Sequence, residues 1–360
     1  GIGNNIKVPT KNSKWEVEGN KTLTDKSPVT IKWDNKEGVI FKKVIELDEK
    51  YLFKISQEIK NNTSKNVELY PYAQITRNKV PDDIQNFYIS HEGFIGVFDD
   101  ELKEDDYDDV EDNKIVREAN EGWLGITDKY WMTVLVPEKG KNFKSTYQFS
   151  DTFKANYIIN NPVKINSSST GFNNFRLFVA AKEVDTIDTY AESQNINKLD
   201  LVIDWGWFYF FTKPLFFVID YLFKLSGNFG IAIVLITLAI RALFFPLANF
   251  SFRSMAKMKA VTPEMTRLKE LHKDDKVKLQ QEMMALYRKE KINPASGCLP
   301  VLIQIPFFFA IYKMLFISLE MRHQPFFGWI KDLSAADPTS IFNLFGLIPW
   351  DPPSFMIIGI

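Results

Sequence analysis

The sequence of 360 residues has little of the chemistry that catalysis and metal binding use. It contains one cysteine, Cys298, and three histidines, His91, His272 and His323. One cysteine builds no disulfide framework, so cysteine usage does not assign a redox compartment. The sequence also lacks an H-E-x-x-H zinc motif, a G-x-S-x-G nucleophile motif and a glycine-rich phosphate loop. We therefore expect no active site, no metal site and no cofactor, and a protein that is not an enzyme.

The two halves of the chain differ in charge. Residues 1–200 contain 27 Lys and Arg against 33 Asp and Glu, whereas residues 201–360 contain 17 against 12. A single core stops growing at about 250–300 residues, so we expect two domains with a boundary near residue 200. Neither end resembles a natural terminus, because Gly1 follows no start methionine or signal peptide and a new apolar run begins near Ser354. We expect membrane spans to be missing on both sides, and residues 354–360 to begin a truncated transmembrane helix.

Short segments typical of β-strands recur through residues 1–198. They are rich in β-branched and aromatic residues, and turn-forming stretches such as DNKEG and NNTSKN separate them. The clearest are residues 28–34, 50–59, 67–76, 130–137 and 174–183. This pattern predicts a water-soluble antiparallel β-sandwich. Because such a sandwich can also bind or process sugars, a membrane-anchored carbohydrate-binding or carbohydrate-modifying protein is the alternative function.

An acidic run, DDELKEDDYDDVED, occupies residues 99–112. It invites comparison with calcium-binding loops, but it lacks the glycine and the ordered D-x-D-x-D-G spacing of an EF-hand. We therefore predict a solvated loop.

A dense aromatic segment at residues 199–224 precedes the first long apolar run. At about 100° per residue, Lys213, Asp220 and Lys224 fall on one narrow stripe of an otherwise apolar helix. That pattern is typical of an amphipathic helix lying in the membrane interface, with Trp205 and Trp207 at headgroup level. A short helix in an apolar core is the alternative.

The apolar run at residues 225–252 contains one charged residue, Arg241. About 20 apolar residues cross a bilayer as a helix, so we predict a transmembrane helix here. Arg241 lies twelve residues before Arg253, about 18 Å along the helix, which is too far for comfortable snorkelling. An unpaired arginine at that depth costs at least roughly 2.5–3.5 kcal/mol. Arg241 should therefore face a bundle interior or a water-filled cavity, together with Thr237 one turn earlier.

Residues 253–291 carry eleven basic residues against six acidic ones. A basic loop beside spans lies on the cytoplasmic side, which makes residues 1–198 extracytoplasmic. Thr262, Pro263 and Glu264 predict a helix start, and Asp274 and Asp275 predict a second one. The apolar seams of the two helices are predicted at Met258, Val261, Met265, Leu268 and His272 and at Val277, Met283, Met284 and Tyr287. We predict a cytoplasmic helical hairpin, whose methionines serve either its own seam or the binding of nascent apolar segments.

A second transmembrane helix is predicted at residues 292–319, followed by a periplasmic loop at residues 320–353. Residues 292–312 are uncharged, Pro300 and Pro306 should bend the helix, and Gln304 places an amide in its interior. Lys313 lies in the outer part of this helix. It either snorkels to the periplasmic interface or pairs with an acidic residue on a helix outside this sequence.

Arg241 is open to three interpretations from its sequence context. In the first, it pairs with an acidic residue on a helix outside this sequence and fixes packing. In the second, it lines a path for a small anion. In the third, it keeps water in a groove that receives another polypeptide. The visible spans contain no series of carboxylates or histidines for ion coupling. The large soluble domain, the basic hairpin and the interfacial helix favour the polypeptide groove.

Three stretches carry a family resemblance: SMAKMKAVTPEM, QEMMALYRKEKINPASGCLPVLIQIPFFFAIYKML and WIKDLSAADP. They resemble YidC-type membrane protein insertases in the Gram-negative form, and the likeness is strong over residues 200–340. It implies a mixed fold, in which a periplasmic β-supersandwich precedes an α-helical transmembrane bundle with a cytoplasmic hairpin. It also implies an inner-membrane insertase and chaperone that acts alone or with the Sec translocon.

The resemblance also implies a hydrophilic, positively charged groove that binds nascent membrane proteins. Its groove residues would be Arg241, Thr237, Gln304, Gly230 and Phe308. The hairpin at Lys273, Asp274, Asp275 and Lys276 would meet the ribosome or targeting factors, and no specific nucleic acid sequence would be recognised. The substrate would slide into the lipid bilayer with no nucleotide consumed by the insertase, because burial of its apolar surface drives the transfer.

Overall fold

The structure is a computed structural model and confirms the mixed fold class. It describes residues 6–81, 84, 90–273, 275–290, 293, 297, 299–328, 330–335, 343 and 348. The chain divides into two compact units, Gly1–Asp204 and Trp205–Ile360. The predicted truncated helix at residues 354–360 lies outside the described residues.

Within the described residues the first unit is built from fifteen strands and two helices. The strands are β1 (Glu16–Glu18), β2 (Val29–Asp34), β3 (Val39–Leu47), β4 (Leu52–Asn61), β5 (Val67–Leu69), β6 (Tyr72–Arg77), β7 (Gly93–Phe98), β8 (Glu101–Asp105), β9 (Ile115–Ala119), β10 (Gly122–Thr127), β11 (Trp131–Val136), β12 (Phe143–Phe149), β13 (Phe153–Ile159), β14 (Val163–Ile165) and β15 (Thr170–Ala181). The helices are α1 (Tyr107–Asp112) and α2 (Val184–Ser193), and a 3-10 turn follows at Leu199–Val202.

The strands form antiparallel sheets. The largest has the order β1-β2-β3-β4-β15-β11-β10-β7-β8, the second β6-β13-β12-β9, and the smallest pairs β14 with β5. All five segments predicted as strands overlap one or more of these strands, because alternation and β-branched residues marked their half-buried positions.

The main core lies between the nine-stranded and four-stranded sheets. Phe94 of β7 and Tyr147 of β12 place their ring centroids 4.9 Å apart, and both side chains are fully buried. The Tyr147 hydroxyl donates a hydrogen bond of 2.9 Å to the Ile95 carbonyl, so the buried phenol is satisfied across the two sheets. Alternate residues of β12 are buried, as one apolar face requires.

The opposite face of the large sheet is also covered. Tyr190 of α2 packs edge-on against Phe178 of β15, and the indole of Trp123 donates to the Asn197 carbonyl at 3.0 Å. Strand β7 is consequently buried along its whole length. Two-sided burial explains why its sequence GFIGVF does not alternate.

The acidic run is not the solvated loop that we predicted. It forms strand β8 and helix α1, because Tyr107 and Val110 anchor the helix in the core. Asp105 is itself buried and accepts two hydrogen bonds from Arg117, at 2.6 and 2.7 Å. Among the described residues, no group of three or more His, Cys, Asp or Glu is arranged to hold a metal ion.

The second unit is helical over its described residues. Its helices are α3 (Tyr209–Ser226), α4 (Phe229–Leu271), α5 (Lys276–Lys289) and α6 (Leu299–Ile317). Two of those described, α4 and α6, are long and apolar enough to cross a membrane by length and composition. Phe307 of α6 contacts both Phe211 of α3 and Phe244 of α4, with ring centroids 4.7 and 5.0 Å apart.

Helix α4 differs from the prediction at its cytoplasmic end. We predicted a new helix at Thr262, but α4 runs unbroken through Thr262 and Pro263. The Thr262 hydroxyl donates to the Met258 carbonyl at 3.2 Å, one turn back, instead of capping a helix start. Helix α6 begins at Leu299, so Pro300 lies in its first turn, where proline is tolerated, and not at a bend.

The aromatic segment before α4 also differs in one residue. Trp207 is almost fully exposed, as an interfacial ring would be. Trp205 is buried, and its ring centroid lies 5.7 Å from that of Phe216. Trp205 therefore does not present its ring to solvent, and its position at headgroup level stays a prediction.

Candidate functional site

Arg241 lies in the middle of the apolar part of α4. Its side chain is exposed, and within the described part of the chain it forms no ion pair. The neighbouring residues Leu238, Leu243 and Phe245 are exposed apolar side chains. The arginine therefore stands as a single charge on an otherwise apolar surface.

The packing of α4 places Arg241 at the margin of its contact with other helices. Phe244, which contacts Phe307 of α6, lies about 60° from Arg241 around the helix axis, and Thr237 lies about 40° away on the same side. Thr237 is half-buried and donates its hydroxyl to the Ile233 carbonyl at 2.7 Å. The Thr237 oxygen keeps lone-pair capacity for a further donor.

Two predicted site residues of α6 flank the ring that contacts α4. Gln304 is half-buried one turn before Phe307, and Phe308 directly follows it and is exposed. The contact of Phe307 with Phe244 brings this turn of α6 to the α4 turn after Arg241. Thr237, Arg241, Gln304 and Phe308 therefore border one contact between two apolar helices.

Gly230 is positioned differently from the other four residues. It lies in the first turn of α4, seven residues and about 10 Å before Thr237. The glycine is buried, and a Cβ atom added there would collide with the Phe326 ring. The structure thus gives Gly230 a close packing contact, while a contact with substrate stays a prediction.

Asn228, which is not among the predicted site residues, fixes the start of α4. Its Oδ1 accepts from the Ile231 amide at 3.1 Å, and its Nδ2 donates to the Phe326 carbonyl at 3.2 Å. An asparagine just before a long apolar run is an N-cap signal, and it was available in the sequence.

The hairpin consists of the last part of α4 and of α5. Asp275 caps α5 by accepting from the Lys278 amide at 3.0 Å, while Lys273 and Lys276 are exposed at the tip. Asp274 lies outside the described residues. The cap confirms the predicted second helix start but leaves any partner of the tip untested.

The seam of the hairpin is only partly the predicted one. On α4 and at its C-cap, His272, all five predicted seam residues are half-buried, and on α5 Met283 and Tyr287 are half-buried as well. The Tyr287 hydroxyl lies 3.9 Å from the Met265 sulfur across the seam. Val277 and Met284 are exposed, which contradicts their predicted seam positions, whereas Leu279 and Leu286 of α5 are half-buried.

The backbone at Gly206 lies close to the side chain of Lys313, a contact that the sequence did not reveal. The aliphatic stem of Lys313 lies against Gly206, whose added Cβ would be 3.3 Å from the lysine Cε. Gly206 has a φ of +74°, a left-handed conformation that glycine adopts without strain. The stem of Lys313 therefore packs beside the segment that leads into α3, and the choice between snorkelling and pairing stays a prediction.

Comparison with known protein families divides the chain at a similar place. The family model "YidC periplasmic domain" matches residues 1–218, and the model "60Kd inner membrane protein" matches residues 221–358. A β-sandwich of the first kind joined to apolar helices of the second defines an inner-membrane protein with a large periplasmic domain.

The chain belongs to the YidC family. It is 57% identical over 355 residues to the membrane protein insertase YidC of Pelagibacter ubique (strain HTCC1062), covering 99% of this chain and 63% of that protein. It is 48% identical over 373 residues to the protein of the same name from Nitrobacter hamburgensis, covering 99% of this chain and 61% of that protein. The chain thus spans about three fifths of the length of these curated relatives. Membership does not favour the carbohydrate alternative.

A solved structure gives a looser match. An active YidC insertase with its first transmembrane domain resolved is 21% identical, with a TM-score of 0.36, over 94% of this chain and 70% of that chain. This overlap is too loose for comparing individual positions.

Proposed function

We propose that this protein is a membrane protein insertase and chaperone whose groove includes Arg241, Thr237, Gln304 and Phe308. The observation that carries the proposal is the exposed Arg241 on the apolar helix α4, in a chain of the YidC family. A charge in the apolar part of a span is expensive unless it faces water or a polar partner. Substrates with acidic residues in their leading tail supply that partner during passage.

The groove chemistry follows from the side chains that border the α4–α6 contact. Arg241 attracts a carboxylate of the crossing tail, while the Thr237 hydroxyl and the Gln304 amide replace water around polar groups of the tail. Exposed rings such as Phe308 offer an apolar surface to the following hydrophobic segment. Burial of that segment in lipid, at roughly 25 cal/mol per Å², drives the transfer without covalent chemistry.

The proposal also assigns partners to the hairpin tip and to assisted insertion. Lys273, Asp275 and Lys276 at the exposed hairpin tip suit an anionic ribosomal surface or a targeting factor, and the Sec translocon is the partner for assisted insertion. The basic composition of residues 253–291 supports a cytoplasmic position for this tip.

The test uses photo-crosslinking from two positions of α4. A benzophenone residue replaces Thr237, beside Arg241, or Leu243, an exposed residue about 160° around the helix from Arg241. Each variant is challenged with a stalled ribosome that carries a nascent membrane segment with an acidic tail. We expect crosslinks to the tail from position 237 and at least severalfold weaker ones from position 243.

Arg241→Leu supplies the second arm of the test. A hydrogen bond to a charged group contributes roughly 1.5–3 kcal/mol, so the crosslink yield from position 237 should fall about tenfold for acidic tails and little for neutral tails. Equal yields from both positions, or equal loss for both kinds of tail, would contradict a polypeptide groove and favour a packing or small-anion role.

A further inference from the structure

The β-domain contains a cleft that the insertase proposal does not use. It lies between the β9–β10 turn, the β11–β12 turn, strand β15 and the segment that follows α2. Its empty volume is about 610 Å³ with the open mouth included, within the range of roughly 300–1,000 Å³ that ligand sites occupy. The apolar side chains that line it are buried, and they are Val136, Pro137, Phe143 and Ile196.

Arg176 of β15 brings a charge into this cleft. Its side chain is half-buried, and its Nη1 donates to the Gln194 carbonyl at the end of α2, at 2.6 Å. That bond uses one of the five N–H groups of the guanidinium. Among the described residues, Arg176 forms no other hydrogen bond and no ion pair. Most of its donor capacity is therefore available to a ligand.

The strands beside Arg176 do not compensate its charge. Lys54 of β4 lies directly opposite Arg176, and like charges at such positions repel each other. Lys54 has Glu46 on its other side, whereas Arg176 has the apolar Val136 there. Burial lowers the pKa of Arg176, because the loss of water around the guanidinium disfavours its charged form. An anion bound at Arg176 would supply the missing counter-charge.

The other charged side chains that line the cleft favour an anion only slightly. Lys141 forms an ion pair with Glu138, which also accepts a hydrogen bond of 3.5 Å from the Asn174 amide. These two charges cancel each other. The remaining pair consists of Lys139 and Glu121, both exposed, so Arg176 decides the sign of the cleft.

The kind of anion follows from the geometry of the cations. A guanidinium binds a phosphate or a carboxylate through two parallel hydrogen bonds, and a lysine adds a point charge that suits phosphate. A phosphate monoester carries a charge of about −1.5 to −2 at neutral pH, which matches Arg176 and Lys139 together. Asn195 is exposed beside them and offers an amide to hydroxyl groups of the ligand.

We propose that this cleft binds a phosphate ester, with the phosphate paired to Arg176 and Lys139 and the polar body of the ligand against the Asn195 amide. The phosphate belongs either to a soluble molecule or to a lipid headgroup. The site uses none of the groove residues, so it goes beyond the proposed insertase function.

The experiment measures binding of glycerol phosphate to the full chain in phosphatidylcholine nanodiscs. Saturation-transfer difference NMR follows the glycerol protons, and a titration gives the dissociation constant. Glycerol is the uncharged reference, and glycerate presents a carboxylate in place of the phosphate. We expect saturable binding of glycerol phosphate that weakens as salt is added, severalfold weaker binding of glycerate, and no binding of glycerol.

Four variants locate the binding site. Arg176→Gln removes the charge but keeps a donor for the Gln194 carbonyl, and it should weaken binding about tenfold or more. Lys139→Gln changes an exposed position, so it keeps the test valid if Arg176→Gln fails to fold, and it should weaken binding severalfold. Glu121→Gln removes an acid and should strengthen binding. Lys144→Gln, an exposed lysine on β12 that does not line the cleft, should leave binding unchanged.

Two results would overturn the proposal without touching the insertase function. One is unchanged binding in both Arg176→Gln and Lys139→Gln, and the other is binding of glycerol or glycerate as tight as that of glycerol phosphate. Nanodiscs that contain phosphatidylglycerol separate the two sources, at a salt concentration that screens the membrane surface. Competition with glycerol phosphate identifies a lipid headgroup as the ligand, and unchanged binding identifies a soluble ester.

Discussion

At the scale of single residues, Lys182 is a buried charge with a measurable consequence. Its side chain is 4% exposed, and burial lowers its pKa to about 8, against the attraction of Asp204, Glu92, Asp128 and Glu104. Between about pH 8 and 10.5 the unfolded chain binds the proton and the folded domain does not. Stability therefore rises with pH across that window, and below it the full penalty remains.

Lys182→Met removes this penalty. We expect the free energy of unfolding at pH 7 to rise by up to about 3 kcal/mol, from about 1.4 kcal/mol per pKa unit, and to change little at pH 10.5. Denaturant unfolding at the two pH values measures the difference, with Lys54→Met on the exposed side of β4 as the control. An identical effect of Lys182→Met at both pH values would show that packing, not charge, decides it.

Single residues also show what could and could not be predicted from the sequence. Arg241 was identifiable because a single charge in an apolar run carries an energetic cost, whatever the fold. The burial of Trp205 was not predicted, because its contacts with Tyr209 and Phe216 are not revealed by composition.

At the scale of elements, the pair Asp105–Arg117 joins β8 of the large sheet to β9 of the four-stranded sheet. Its two hydrogen bonds measure 2.6 and 2.7 Å, and the Arg117 guanidinium lies 5.6 Å from the ring centroid of Phe98. The hydrogen bonds to Asp105 raise the pKa of Arg117 further, so the guanidinium keeps its charge.

Arg117→Met leaves Asp105 buried without its counterion. We expect a loss of roughly 2–4 kcal/mol in the free energy of unfolding of the β-domain, measured by urea denaturation. Lys103→Met, which breaks the exposed pair with Glu101, should cost under about 1 kcal/mol. Similar losses for both variants would mean that the inter-sheet pair has no special weight.

Two element predictions failed for related reasons. The charge of residues 99–112 hid the apolar anchors Tyr107 and Val110, and tertiary packing of these two prevailed over the acidic composition. At Thr262 the sequence contains a valid N-cap signal, but α4 continues through it. The seam with α5 favours this continuation, because it uses half-buried residues from Met258 to His272. The strands succeeded because their alternation reports burial directly.

The continuity of α4 is open to a direct distance measurement. Spin labels at Lys257 and Lys269, both exposed, lie twelve residues apart on either side of Thr262 and Pro263. An unbroken helix places their Cα atoms about 18 Å apart, and pulsed electron spin resonance should give one narrow distribution. A broad or clearly shorter distribution would restore the break that the sequence predicted.

At the scale of the whole molecule, the chain consists of two units with cores of different kinds. The core of the first unit is an aromatic-rich interior between sheets, whereas α4 of the second has an exposed apolar surface that suits lipid. Because one unit exposes an apolar surface and the other does not, the composition averaged over the whole chain is typical of neither half. The charge difference around residue 200 located the division because each half meets a different solvent.

Separate cores predict separate responses to mutation. Phe94→Ala should destabilise the β-domain by about 3–5 kcal/mol, because it deletes a fully buried ring. Hydrogen exchange in nanodiscs should then accelerate across β7, β10 and β12 but not across α4 and α6. Acceleration of equal size in both units would mean that they unfold as one.

The unbroken path of α4 has a mechanical consequence. Its 43 residues extend about 65 Å, roughly twice the thickness of a bilayer core, so much of the helix projects beyond the span. Arg241 and Leu271 lie on the same rod, about 45 Å apart. Pro246 and Pro263 lie between them, and each removes one backbone hydrogen bond of the helix, so any bending of the rod is expected at these two residues. A force applied at the Leu271 end would therefore reach Arg241 only as far as the helix resists bending at these prolines.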